Sequence, residues 1–287
     1  MASQSNRSRG TASAHRGAAR FRSLGLASQW VLLLSTGFAF ALTGCMTLVV
    51  DPNEPSEAEK RLIQARARRD LGVDYLTKGR NAVALPGLLF AAENNPNDPA
   101  TQLWLGEGYR RQRHNDKALA AMLRALELKP DYRDAHNNLS AFYLQLERYE
   151  DAIVHAQILI DDPLYTRPWT AFSNRGRAQF NLGRIDLSRK SLEIALEFRP
   201  DFWPASLNLG ILEHEAGNTL KAVKHLRRVI KDPVGHSPRA EASFHVAQIL
   251  VSMGHREKAI KYFTASVRID PEGPWADESR DYLKVLH

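Results

Sequence analysis

Apolar side chains recur along this chain in paired bursts, and each pair restarts at a fixed stride. Leu103, Leu105 and Tyr109, then Ala118, Met122 and Ala125, fall at helical spacings. Gly72 and Gly106 lie 34 residues apart, as do Tyr75, Tyr109 and Tyr143, and Ala84, Ala118 and Ala152. Ala91 with Ala125 and Pro96 with Pro130 keep the same interval. After a two-residue insertion the register resumes at Gly176, Ala195 and Pro200, then at Gly210 and Ala222. A three-residue slip leads on to Gly254, Ala259, Phe263 and Pro271. Each period therefore predicts two amphipathic helices. Small residues at the glycine and alanine columns let the two backbones approach. The proline near each repeat end lacks an N–H and stops the second helix. A helix pair of this size cannot bury its apolar face alone, so the repeats must stack, and at least three are needed.

This pattern resembles the tetratricopeptide repeat, and the resemblance implies an all-α fold. The expected architecture is a right-handed superhelical solenoid of about six helix-turn-helix repeats. They fall at about 65–98, 99–132, 133–166, 169–202, 203–236 and 240–273. The third and sixth repeats place Ser140 and Ala247 where glycine is usual. Arg175 replaces a usual leucine in the fourth, and Pro86 falls inside the second helix of the first, where it should kink that helix or shorten its first turn. Residues 274–287 look like a C-terminal capping helix, with Tyr282, Leu283 and Val285 to dock and Asp277, Glu278 and Arg280 facing water.

The N-terminal segment carries a different pattern. Arg7, Arg9, Arg16, Arg20 and Arg22 precede an apolar run from Trp30 to Leu42, with no acidic residue among them. A basic start, a short apolar stretch and small residues before a cut describe a secretory signal. Ser35, Thr36 and Gly37 interrupt the run too centrally for a membrane span of roughly 20 residues. Leu42-Thr43-Gly44-Cys45 resembles the lipobox of bacterial lipoproteins, which implies a signal peptide over 1–44 and acylation of Cys45. Residues 45–64, with Pro52, Asn53, Glu54 and Pro55, are expected to form the lipidated N-terminus and a tether.

The charge balance changes with that cut. Five of the 39 basic residues and none of the 32 acidic ones precede Cys45, so the remainder holds an excess of two. The basicity that would suggest a nucleic-acid partner belongs largely to the export signal. Cys45 is the one cysteine, which excludes an intramolecular disulfide and a thiolate metal cluster.

Ten histidines invite a catalytic or metal role. His214 and His225 sit in different helices without a carboxylate at ligand spacing. No Gly-x-Ser-x-Gly elbow and no phosphate-cradling glycine loop is present. The sequence therefore predicts neither an enzyme nor a cofactor, metal or small-molecule substrate, and it leaves a binding surface. In the tetratricopeptide family the first helices of successive repeats line a concave groove. Carried onto this chain, the family's contact positions are Leu103, Glu107, Arg110 and Arg111 in repeat two, and Asn137, Leu144 and Gln145 in repeat three. Repeat four adds Ser173, Arg177, Phe180 and Asn181. Repeats five and six add Leu207, Ile211, His214, Phe244, Gln248 and Val251. Leu144, Phe180, Leu207, Ile211, Phe244 and Val251 are more apolar than a solvated face requires, and exposed apolar area marks a partner site.

Between repeats three and four, Asp161-Asp162-Pro163-Leu164-Tyr165-Thr166-Arg167-Pro168 forms a lengthened spacer, and Asn174-Arg175-Gly176 follows it. With an export signal and six repeats, this resembles the type IV pilus pilotins of the PilF/PilW/Tgl group. The resemblance implies an outer-membrane lipoprotein, lipid-anchored and facing the periplasm, that helps a secretin subunit reach the membrane and assemble. Met46, in place of an aspartate after Cys45, agrees with transport to the outer membrane. The alternative is a repeat scaffold that gathers peptidoglycan enzymes or envelope proteases.

Overall fold

The computed structural model describes residues 54–286, which fold into thirteen α-helices and contain no strand. The helices are α1 (Glu57–Thr77), α2 (Asn81–Asn94), α3 (Pro99–Arg111), α4 (Asn115–Leu128), α5 (Arg133–Gln145), α6 (Tyr149–Ile160) and α7 (Pro168–Asn181). Then follow α8 (Ile185–Phe198), α9 (Trp203–Glu215), α10 (Thr219–Lys231), α11 (His236–Ser252), α12 (Arg256–Ile269) and α13 (Pro274–Leu286). Twelve of them form the six expected pairs, and α13 follows the last. First helices pack on one another in the pairs α1–α3, α5–α7, α7–α9 and α9–α11, giving the solenoid an inner layer. Cys45 and the signal segment lie outside the described residues.

The glycine column is explained by space. A Cβ on Gly72, Gly106, Gly176 or Gly210 would stand 2.6–2.8 Å from Leu88, Met122, Leu192 or Leu226 on the facing second helix. All four of those facing side chains are fully buried. Ser140, at the same column, fits because its Oγ donates to the Ala152 carbonyl at 2.9 Å. The tight turn inside each pair also demands a left-handed residue. Gly79, Gly183, Gly217 and Gly254 supply it with φ of 72–77°, and Arg113 and Glu147 adopt it at 62° and 58°.

Three departures from expectation have local causes. First, α1 begins at Glu57, inside the segment expected as a tether. Ser56 and Glu59 form a reciprocal capping box there, with Glu59 accepting from the Ser56 N–H at 2.7 Å. Second, α2 runs through Pro86 and is not shortened at its start. Third, Arg175 does not leave a hole where a leucine is usual. Its guanidinium lies 4.9 Å from the Phe172 ring centroid and donates to Ser191 Oγ at 3.1 Å and Gln157 Oε1 at 2.8 Å.

The lengthened spacer is fastened to the inner layer. Tyr165 is buried, and its hydroxyl donates to Asn137 Oδ1 at 3.2 Å while meeting Thr170 Oγ1 at 2.8 Å. Arg133 pairs with Asp162, and Arg167 pairs with Asp134 at 2.6 Å. These contacts hold repeats three and four across the insertion.

Candidate binding pocket on the inner layer

Five of the expected contact residues converge. Arg177, Phe180 and Asn181 of α7 and Leu207 and Ile211 of α9 line one depression of about 420 Å³, closed by the start of α11. Trp203, Pro204 and Asn208 of α9 and Ser237, Pro238 and Glu241 of α11 complete it. Phe180 and Ile211 are half-buried, so their apolar faces remain partly open to solvent. Leu207 is buried and forms the floor.

α11 starts at His236, four residues before the expected repeat, which brings Ser237 and Pro238 onto the same helix as Glu241. Gly235 at the N-cap and Pro238 in the first turn are the signals that mark this earlier start. Glu241 sets a carboxyl group beside the apolar side chains of the recess, with Arg177 on the facing helix. Burial pushes its carboxyl up from the ordinary glutamate range, and the nearby Arg177 opposes that shift. Among the described residues, Glu241 makes no ion pair within 4.0 Å.

Other expected groove residues have different positions. Leu103, Leu144 and Phe244 are buried, with 2 %, 7 % and 1 % of their surface exposed, and they belong to the core. The family position alone does not distinguish a groove wall from an inter-repeat contact, and at these sites packing takes the side chain. Phe244 shows the cause most clearly. Its ring lies 5.1 Å from Trp275 and 5.8 Å from Tyr282, both on α13. Gln248 donates to the Tyr282 hydroxyl at 3.4 Å, and Val251 packs in the same cluster as Leu283 and Leu286. The capping helix thus covers the groove positions of repeat six. Val285, expected to dock, is 84 % exposed, and Trp275 and Ala276 turn inward instead. Ser173 is buried, Gln145 is exposed and His214 is half-buried in the last turn of α9.

Repeat two forms a smaller depression of about 290 Å³ lined by Trp104, Glu107, Arg110, Arg111, Asn138, Ala141 and Phe142. Its charges are largely engaged within the chain. Glu107 accepts from Arg110 Nε and Nη2 and from Arg111 Nε, all at 2.7 Å. Burial disfavours its charge, yet the two guanidinium groups hold its carboxyl below the ordinary range. Arg111 also donates to the Leu76 carbonyl at 2.7 Å, and Arg110 reaches Gln145 Oε1 at 3.1 Å. Asn137 is similarly occupied by Tyr165 and Thr170. These polar residues join repeats, whereas the pocket at α7, α9 and α11 keeps unpaired chemistry.

No group of three or more His, Cys, Asp and Glu side chains among the described residues could hold a metal ion. No described helix is long and apolar enough to cross a membrane.

A stack of helix pairs with a recess on its inner layer defines a helical-repeat solenoid. The chain belongs to the tetratricopeptide-repeat family, whose profiles match residues 105–162, 173–238 and 240–272. Its fold is similar to that of PilF from Pseudomonas aeruginosa, with a TM-score of 0.63 and 18 % identity over 78 % of this chain and 99 % of that one. PilW, described as a widely conserved type IV pilus biogenesis factor, gives a TM-score of 0.65 and 21 % identity over 77 % and 97 %. Tetratricopeptide repeat protein 16 of Macaca fascicularis is 25 % identical over 186 residues, or 59 % of this chain. That match spans 21 % of the macaque protein.

Proposed function

We propose that this protein is a non-enzymatic scaffold that holds a segment of a partner protein in the recess between α7, α9 and α11. The observation that carries this is the composition of the recess. Phe180, Trp203, Pro204 and Ile211 offer apolar wall, while Glu241 lies among them without an ion-pair partner. An amphipathic helix or extended segment would cover the apolar faces and supply a donor to Glu241. A basic or hydrogen-bond-donating side chain flanked by apolar ones fits this arrangement.

We further propose that the partner is a secretin subunit and that the protein acts as a pilotin, anchored to the outer membrane through acylated Cys45. The lipobox-like sequence, the lengthened third repeat and the similarity of fold to PilF and PilW support this reading. The mechanism would be physical: a segment captured by a membrane-tethered groove gains effective concentration for assembly. One acyl chain binds a membrane marginally, and two or more make the anchor stable.

The test is capture of partners by residues 46–287 from the organism's envelope extract. Secretin should be recovered. Recovery of murein hydrolases without secretin would replace the pilotin by an envelope-enzyme scaffold. Phe180→Glu with Ile211→Glu should weaken capture by at least about 30-fold, as expected for losing central apolar anchors of ~2 kcal/mol. Helical circular dichroism should stay intact, and partner binding that survives the double variant removes this recess from the proposal. Cys45→Ala should move the full chain from the outer-membrane to the soluble or inner-membrane fraction. Unchanged fractionation would refute the anchor.

A further inference from the structure

The outer face of α10 has no counterpart in the rest of the solenoid. Lys221, Lys224, Arg227, Arg228 and Lys231 occupy five of its thirteen positions, and no acidic residue interrupts them. Every other second helix, α2, α4, α6, α8 and α12, carries at least one Asp or Glu. Ala222, Leu226 and Val229 bury the opposite side of α10, so the cations share the solvent face. Among the described residues none of the five takes part in an ion pair within 4.0 Å. Glu193 and Glu197 of α8 border Lys224 and Arg228 around a neighbouring depression without reaching that distance.

The same face is not purely charged. Leu220 is 85 % exposed at its N-terminal end, and Val223 lies beside it. From Leu220 to Lys231 the stripe runs about 16 Å along the helix, at ~1.5 Å per residue. The local field is visible at His225. Burial and the charges of Lys224, Arg228 and Lys221 push its imidazole down, while Glu213 opposes them. Uninterrupted cations next to exposed aliphatic side chains match a surface of anionic headgroups over acyl chains. The stripe offers no Phe, Tyr or Trp on which an unpaired base could stack, which disfavours single-stranded nucleic acid.

We propose that the outward face of α10 docks on an anionic phospholipid surface. Lys224, Arg227, Arg228 and Lys231 would lie against the headgroups, with Leu220 entering the interface. This contact is independent of both the Cys45 anchor and the inner-layer recess. It would fix which side of the solenoid faces the bilayer.

The assay is co-sedimentation of residues 54–287 with vesicles. This span is suitable because it lies within one compact unit whose six core clusters fall between Tyr75 and Leu286. Vesicles of equal phosphatidylglycerol and phosphatidylcholine should pellet the protein, pure phosphatidylcholine should not, and added salt should release it. Lys224→Gln, Arg227→Gln and Lys231→Gln together should reduce partitioning on the order of a hundredfold, at roughly fivefold per cation. Lys258→Gln with Lys261→Gln on α12 should leave partitioning within about twofold. Unfolding curves of both variants should overlay the parent, as these side chains are exposed. Equal binding to both vesicle types, or binding unaffected by the triple substitution, would overturn the proposal. Preference for a DNA oligonucleotide over the anionic vesicles would overturn it too, in favour of a nucleic-acid partner.

Discussion

Gly210→Ala tests the packing that shapes the recess. The added methyl would stand 2.7 Å from Leu226 Cγ, 2.8 Å from Cδ2 and 3.3 Å from the Leu226 backbone nitrogen. Leu226 cannot swing away, because it is fully buried against Ala222, Val229, Ala242, Val246 and Ile249. Either α9 must move from α10 or Leu226 must leave its rotamer, and overpacking of this kind costs about 1–3 kcal/mol. For a domain of this size that is a fall in Tm of roughly 2–4 °C per kcal/mol, hence about 2–12 °C. Thermal unfolding followed by far-ultraviolet circular dichroism reads the loss directly. A double-mutant cycle isolates the cause. Leu226→Ala alone should destabilise by about 2–5 kcal/mol. Adding Gly210→Ala to it should then cost little, leaving a coupling of at least about 1 kcal/mol. Strict additivity, or an unchanged Tm for Gly210→Ala, would refute the close-approach argument. Because Leu207 and Ile211 flank Gly210 on α9, the same variant should also weaken partner capture.

Two further outcomes follow from backbone and burial. Arg113→Gly should stabilise the fold by up to about 1 kcal/mol, because Arg113 holds φ of 62° at a column where four repeats use glycine; a lower denaturation midpoint would contradict this. Acid should destabilise the protein between about pH 6.5 and 4, because burial, with His136 nearby, pushes His155 down to about 4, and burial, with His214 adding to it, pushes His245 to about 4. The unfolded chain binds the protons that these native histidines refuse, so stability present above pH 6.5 is lost as pH falls through that window, by on the order of 2–3 kcal/mol for each histidine. Glu241, whose carboxyl is raised, opposes the trend, and the carboxylates held low, such as Glu107, contribute at lower pH. A guanidinium midpoint that is flat from pH 7 to about 4.5 would show that the histidines are not buried neutral.

Periodicity alone determined the helix pairs. Glycine, alanine and proline columns are local requirements for close approach and termination, so they remain visible in one dimension. The Gly72, Gly106, Gly176 and Gly210 contacts follow directly from that column. The recess was legible in part, since Arg177, Phe180, Asn181, Leu207 and Ile211 share helical phase on consecutive first helices. Ser237, Pro238 and Glu241 join them only because α9 and α11 meet across the layer. Phe244, Gln248 and Val251 have the same phase but lie beneath α13, a segment that no repeat column positions. Leu103 and Leu144 are taken into the core by neighbouring repeats for a similar reason. Helical phase fixes which side of a helix a residue occupies. Whether that side meets solvent, a partner or another helix depends on distant parts of the chain, and only the tertiary structure decides it.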